Sequence, residues 1–151
     1  SCALLSAVGA QPVKVSGDYP GFDSVPDAVP RCGPLGGLYS VVQTLADGPA
    51  WVVPVDMPLL STAVLGKLLV PSQHRCVAFE GQRLPMRLRI DIRVREALTT
   101  LMTGAASSRS LGALQRSLRC QRVAVTASER AAFVNCNTPA QWSELIDENP
   151  D

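Results

Sequence analysis

The sequence predicts an α/β three-layer sandwich built on a mostly parallel sheet. Two observations carry that expectation. Short β-rich runs alternate with helical runs almost from end to end. The run 51–55, WVVPV, is continuously apolar, as in a strand covered on both faces. The chain has 151 residues, no internal repeat and no low-complexity tract, so a single domain over 1–151 is expected. A hydrophobic content of 46% against 18% charged excludes a disordered chain. A formal net charge of +1 gives no electrostatic case for nucleic acid or an anionic membrane as partner. No apolar run is long enough to cross a bilayer, and no charged-then-apolar secretory leader is seen.

Each element has a local signal. Residues 12–16 are β-rich and end at Gly17, which marks a strand. Residues 17–31, rich in Gly, Pro, Asp and Ser, read as a loop. From Gly33 a helix is expected to about Ala46, with Leu35, Leu38, Val42 and Leu45 on one stripe. Pro34 falls in its first turn, where the missing N–H costs nothing. Residues 51–55 form the apolar strand. Ser61 or Thr62 caps the next helix, which carries Val64, Leu65, Leu68 and Leu69 inward and ends at Pro71. Residues 75–79 and 84–90 are expected as two strands of a hairpin-type excursion around Glu80-Gly81-Gln82. Helices follow over 93–102, with Val94, Leu98 and Leu101 inward and Gly104 as the stop, and over 111–118. Residues 121–126 make a strand. Thr138 is an N-cap, Pro139 suits the first helical position and Gln141 completes a capping box; Trp142, Leu145 and Ile146 form the buried stripe behind them.

Five cysteines, Cys2, Cys32, Cys76, Cys120 and Cys136, are scattered without a CxxC, and His74 is the lone histidine. No common zinc set can be assembled from them. Each is expected to behave as a small buried apolar residue, and an odd, dispersed count fits reduced thiols in a cytoplasm.

Three stretches can carry chemistry. Asp56 ends the apolar run between Pro54 and Pro58. Ligands of open α/β sheets bind beyond the carboxyl ends of strands, and a carboxylate there is a hard oxygen ligand for Mg²⁺. The same position also suits an acid that caps the following turn. Gly33, Gly36 and Gly37 around Pro34 and Leu35 form a turn into a helix N-terminus, where backbone approaches a ligand closely and the dipole favours anions; turn geometry alone also explains them. Their spacing is neither GxGxxG nor GxxxxGK[ST], which excludes a dinucleotide Rossmann site and a P-loop. Asn135 and Asn137 flank Cys136 and offer donors and acceptors to a polar ligand or to metal-bound water, or else cap a turn.

Taken in order, GPLGGLYS, VPVDMPLL and FVNCNTPAQW resemble the MobA-like nucleotidyltransferase family, the family of molybdenum cofactor guanylyltransferase. That family carries a GPL-x-G-L turn, a P-x-D-x-P acid at a strand end and a terminal F-x-N-x-N-T-P. The resemblance runs from Cys2 to about Ile146. It implies a nucleotide-diphospho-sugar-transferase-like, Rossmann-like fold, and a Mg²⁺-dependent enzyme that transfers GMP from GTP to molybdopterin. It implies Asp56 as the catalytic and metal-binding acid. Gly33, Pro34, Leu35, Gly37 and Asp27 then lie on the nucleotide side, and Asn135, Asn137 and Arg109 toward the pterin or just behind it. It implies GTP and molybdopterin as partners, with molybdoenzymes or other cofactor-biosynthesis proteins beyond them, and a cytoplasmic location. A cytidylyltransferase of the same family fits the same residues. The basic run Arg83, Arg87, Arg89, Arg93 and Arg95 alternates with Leu88 and Ile90 as on a half-exposed strand. A solvated face accounts for it, and the other reading is a site for an anionic pterin or an acidic partner protein.

One part of the family pattern has no counterpart. The glycine-rich loop of the form L-A-G-G-x-S-x-R-M-G-x-x-K, whose amides and basic side chains hold the triphosphate, is not matched. Residues 2–8 read as the tail of a helix already under way, so an N-terminally truncated chain is expected. A second reading follows, in which the chain is a non-catalytic or truncated relative that binds nucleotide weakly or serves as a partner surface. A chain without the family's first strand is expected to unfold at a lower denaturant midpoint than one that has it; equal midpoints would overturn that expectation.

Overall fold

The computed structural model describes residues 1–148. The elements, in order, are α1 Cys2–Ala7, β1 Val15–Ser16, β2 Ser24–Val25, α2 Gly33–Val42, β3 Gly48–Val52, α3 Thr62–Gly66, β4 Cys76–Phe79, β5 Met86–Ile90, α4 Ile92–Thr103, α5 Leu111–Ser117, β6 Gln121–Val123 and α6 Pro139–Glu148. Short 3-10 helices lie at Lys67–Leu69, Ala106–Ser108 and Ala127–Phe133.

All four residues of β4 are buried, and their alternation assigns them to two layers. Cys76 and Ala78 face a core shared with Met86, Leu88 and Ile90 of β5 and with α2, α4 and α5, through Leu35, Val42, Leu98 and Leu114. Val77 and Phe79 face the other core, against Leu65, Leu68 and Phe133. Phe79 and Phe133 meet edge to face with centroids 5.0 Å apart, a geometry worth roughly 1 kcal/mol beyond the area it buries. A sheet with apolar layers on both faces is the three-layer arrangement the alternation of elements predicts.

The strand order of the main sheet is β3-β5-β4-β6. β5 is antiparallel to both β3 and β4, whereas β4 and β6 are parallel. Three of the four strands therefore run in one direction, but only one of the three pairings is parallel. The sheet is mixed, which corrects the expectation of a mostly parallel one. The cause is the short turn after Phe79, which returns β5 directly beside β4 as a hairpin, and parallel neighbours need a long crossover instead.

Other boundaries shift for local reasons. β1 and β2 pair in parallel inside the stretch expected as strand then loop. α2 stops at Val42 rather than near Ala46. Gly104 ends α4 in an extended conformation, not the left-handed one of a glycine stop, and Met102 rather than Leu101 is the third buried residue of that helix. Leu69 is exposed, because the chain tightens into a 3-10 turn there and rotates it outward. Side-chain caps hold the starts of α3, α4 and α5: Ser61, Asp91 and Ser110 accept the N–H of Val64, Val94 and Ala113 at 3.3, 3.1 and 3.1 Å. Asp91 also accepts from Arg75 Nε at 2.6 Å. Burial would raise its carboxyl, but Arg75 and the Val94 N–H outweigh that and hold it below its ordinary value. Among the cysteines, Cys76 and Cys136 are buried and the other three half-buried. The Cys76 thiol donates to Cys120 at 2.6 Å, and that bond together with burial pushes Cys76 well up.

The turn from β6 into the last 3-10 helix is tied by Glu129, which accepts from the Thr126 N–H at 2.9 Å and pairs with Lys67 at 2.5 Å. The Lys67 contact, then the Thr126 bonds, depress its carboxyl from 4.5 to about 2. A folded-state value below the unfolded one stabilises the fold at pH above 4.5, and that contribution disappears as pH falls through about 2. Glu129→Gln is therefore expected to flatten the loss of stability between those limits, measured by urea midpoints at successive pH; an unchanged acid limb would refute it.

Candidate active site

The acid of the apolar run does not stand directly at a strand end. β3 stops at Val52, paired with Met86. The next positions outward on the two strands are Val53 with Pro85, then Pro54 with Leu84. Neither proline has an amide hydrogen, so the ladder cannot be extended in either phase. The expected strand over 51–55 is thus shifted to Gly48–Val52, and β3 is an edge strand of the described sheet and only partly buried. The chain then bends, with Val55 exposed and Asp56 half-buried.

This bend is joined to the third motif by one bond. The Cys136 N–H donates to the Asp56 carbonyl at 2.7 Å. Cys136 is buried between two exposed asparagines, Asn135 and Asn137. The turn is held from its far side by the capping box: Gln141 Oε1 accepts from the N–H of Asn137 and Thr138 at 2.8 and 3.1 Å, and the Gln141 N–H donates to Thr138 Oγ1 at 3.2 Å. Trp142 Nε1 donates to the Cys136 carbonyl at 3.2 Å. Its ring is 37% exposed, which corrects its place in a buried stripe. Its N–H needs a partner near the surface. The side chains of Leu145 and Ile146 lie outside the described residues.

The glycine turn divides its residues between two tasks. Gly33 has φ 60°, a conformation that suits glycine. Pro34 is in the first turn of α2. Leu35 has its side chain fully buried in the core, so any part it has in the turn is through its backbone. Gly37 is buried, and a Cβ on it would collide with Ser16 Oγ and come within 3.5 Å of Asp27. Asp27 accepts from Ser16 Oγ at 3.3 Å. Ser40, buried, donates to the Gly36 carbonyl at 3.0 Å and accepts the Ala28 N–H at 2.9 Å, which fixes the loop carrying Asp27 onto α2.

A cleft of about 1340 Å³ gathers Pro34, Asp56, Arg109, Asn135 and Asn137 along one wall system, together with Arg83. Asp27, Gly33, Leu35 and Gly37 do not line it. Arg109 is held by contacts to Cys32 Sγ at 3.8 Å and the Gly104 carbonyl at 3.2 Å, and its Nε is buried without a partner. No hydrogen bond or ion pair engages the Asp56 carboxylate among the described residues. One unpaired carboxylate with two amide oxygens nearby is a hard oxygen donor set, which fits Mg²⁺ better than a soft or borderline metal. No cluster of three or more His, Cys, Asp or Glu exists among the described residues. Of the basic run only Arg83 reaches this wall, together with the start of α5, and no local pattern in the sequence joins the two.

Residues 2–123 match the MobA-like NTP transferase domain. The chain belongs to the MobA-like NTP transferase family. It is 69% identical over 150 residues, 99% of this chain and 79% of the relative, to the molybdenum cofactor guanylyltransferase of Xanthomonas euvesicatoria pv. vesicatoria strain 85-10. Two solved structures share its fold. One is a protein from Aquifex aeolicus VF5, with TM-score 0.63 and 17% identity, covering 76% of this chain and 62% of that one. The other is molybdopterin-guanine dinucleotide biosynthesis protein A from Archaeoglobus fulgidus, with TM-score 0.62 and 17% identity, covering 84% of this chain and 68% of that one. The mixed sheet between helical layers is thus a nucleotidyltransferase, Rossmann-like α/β fold.

Gly37→Ala is expected to destabilise this family member by ~1–3 kcal/mol through overpacking against Ser16 and Asp27. Gly66→Ala, where nothing lies within 4 Å, is the neutral control. Equal urea midpoints for the two variants would refute the crowding argument.

Proposed function

We propose that this chain is a guanylyltransferase of molybdenum cofactor maturation, transferring GMP from GTP to molybdopterin. The observation that carries the reading is the Cys136–Asp56 bond, which puts a lone acid and two asparagines in one cleft beside the glycine turn. The 69% identical relative bearing that name supports it.

The acceptor's phosphate oxygen forms a bond to the α-phosphorus of GTP as the bond to pyrophosphate breaks. Asp56 would hold Mg²⁺, which when bound neutralises charge on the phosphate oxygens. The bend after Val52 aims its carboxylate, and the bond from Cys136 fixes the bend. Asn135 and Asn137 offer amides to phosphate oxygens or to metal-bound water. Pro34 and the backbone of the α2 turn line the side proposed for the nucleotide, with Asp27 braced behind them against Ser16. Arg109 lies where an anionic group of the acceptor would be met. Such groups act chiefly by positioning and charge stabilisation. Among the described residues no helix is long and apolar enough to cross a membrane.

Asp56→Ala is expected to lower Mg²⁺-dependent GTP turnover on the order of 100-fold or more, with the thermal midpoint unchanged because the carboxylate has no described partner. Calorimetry with GTP, CTP and ATP in the presence of Mg²⁺ tests the base: tight binding of GTP alone supports the reading. Undiminished turnover in the variant would overturn the role of Asp56, and preference for CTP would overturn the guanylyl assignment.

A further inference from the structure

The five arginines of the basic run have different surroundings. Arg87 donates to the Val70 carbonyl at 3.3 Å, Arg93 pairs with Glu96 at 3.6 Å, and Arg95 holds Asp47 at 2.9 Å and the Leu45 carbonyl at 2.9 Å. Arg89 is exposed, with its residue paired to Pro49. Arg83 alone of the five lines the cleft that holds Asp56.

Its placement is built. Gln115, 1% exposed, donates from Nε2 to the Arg83 carbonyl at 2.8 Å and accepts Arg122 Nη2 at 3.0 Å. Arg122 Nη1 reaches the carbonyls of Phe79 and Gln82 at 3.3 and 3.1 Å. The turn between β4 and β5 is thus clamped on both sides of Arg83. Its guanidinium lies flat over Gly112 of α5: a Cβ there would sit 2.9, 3.0 and 3.1 Å from Cζ, Nε and Nη2. That seat exists only because residue 112 has no side chain. Yet the guanidinium makes no hydrogen bond or ion pair among the described residues, where five ion pairs form elsewhere. Arg83 is itself exposed, so the clamped turn and the glycine seat hold an accessible guanidinium at the cleft rather than bury it.

We propose that Arg83 is a phosphate-binding residue of the cleft, acting with Arg109, and that Gly112 is the residue that positions it. A guanidinium fork matches phosphate oxygens in a bidentate geometry that lysine lacks. Neither arginine has a carboxylate partner among the described residues, so an incoming phosphate has no internal anion to displace. The proposal deepens the transferase reading, which supplies two phosphate-bearing ligands: the triphosphate of GTP and the phosphomonoester of the acceptor.

The test compares this chain with its Arg83→Ala, Arg83→Lys and Gly112→Ala variants. Gly112→Ala keeps the arginine but displaces it, and since the atoms in its way are the far end of a flexible side chain, the fold absorbs the change. Calorimetric titration with inorganic phosphate is expected to show affinity falling ~10-fold in Arg83→Ala and in Gly112→Ala, and by less in Arg83→Lys, with thermal midpoints retained. Wild-type phosphate affinity in either alanine variant overturns the proposal. In the transferase assay, a raised KM for GTP assigns Arg83 to the triphosphate, and a raised KM for the acceptor assigns it to the phosphomonoester. Unchanged values for both overturn it. The phosphate titration needs no turnover, so a chain that binds phosphate through Arg83 but transfers nothing keeps this inference and defeats the transferase reading.

Discussion

The cleft depends on a missing pair of amide hydrogens. Pro54 and Pro85 face one another's flanking residues just where the β3–β5 ladder would otherwise continue, so pairing ends at Val52 with Met86. Had the ladder run on, Val55 and Asp56 would alternate up and down on a flat sheet edge. Instead the backbone is released into a bend, and its carbonyl at Asp56 is free to accept the Cys136 N–H. The acid and the asparagine turn are therefore neighbours because of a limit on strand pairing, and the rest of the wall assembles around that junction.

Much of this was legible in the chain itself, for reasons of locality. The capping box at Thr138 and Gln141 is contained in four residues, and it forms as the residue types dictate. The helical stripes over α3 and α4 are likewise local. The end of β3 was not legible, because it is set by a proline on another strand. The reversal of β5 was visible as a hairpin, yet its consequence for the whole sheet, one parallel pairing among three, needed the strand order. Leu35 belonged to two expectations at once, a helical stripe and a ligand pocket. Burial gives the side chain to the helical stripe and leaves only the backbone to the turn. Which arginine of the basic run lines the cleft was not legible for the opposite reason: the clamp of Arg83, Gln115, is 32 residues away, and its seat is a glycine, which carries no pattern.

The helices on one side of β4 and the 3-10 segments on the other serve different ends. The α2, α4 and α5 layer buries the larger core cluster and presents Pro34 and Gly112 to the cleft. The second layer packs Leu65, Leu68 and Phe133 against Val77 and Phe79, and leads straight into the asparagine turn. Both layers thus converge on the same rim from opposite faces of one buried strand. The asparagine turn at that rim is fixed by bonds to its main chain, from Cys136 N–H to the Asp56 carbonyl and from Asn137 and Thr138 N–H to Gln141.

The half-buried carboxylate of Asp56 has no ion-pair partner among the described residues, and the arginines of its cleft, Arg83 and Arg109, are not bonded to it. A polyanion approaching it meets repulsion at the point where chemistry is proposed to occur, and at close range in a partly dry cleft that repulsion is screened far less than in water. On the proposed reading the charges of the cleft sort phosphate groups by position: a phosphate is drawn to the side of Arg83 and Arg109 and repelled beside Asp56, where a divalent cation would have to stand between the two anions.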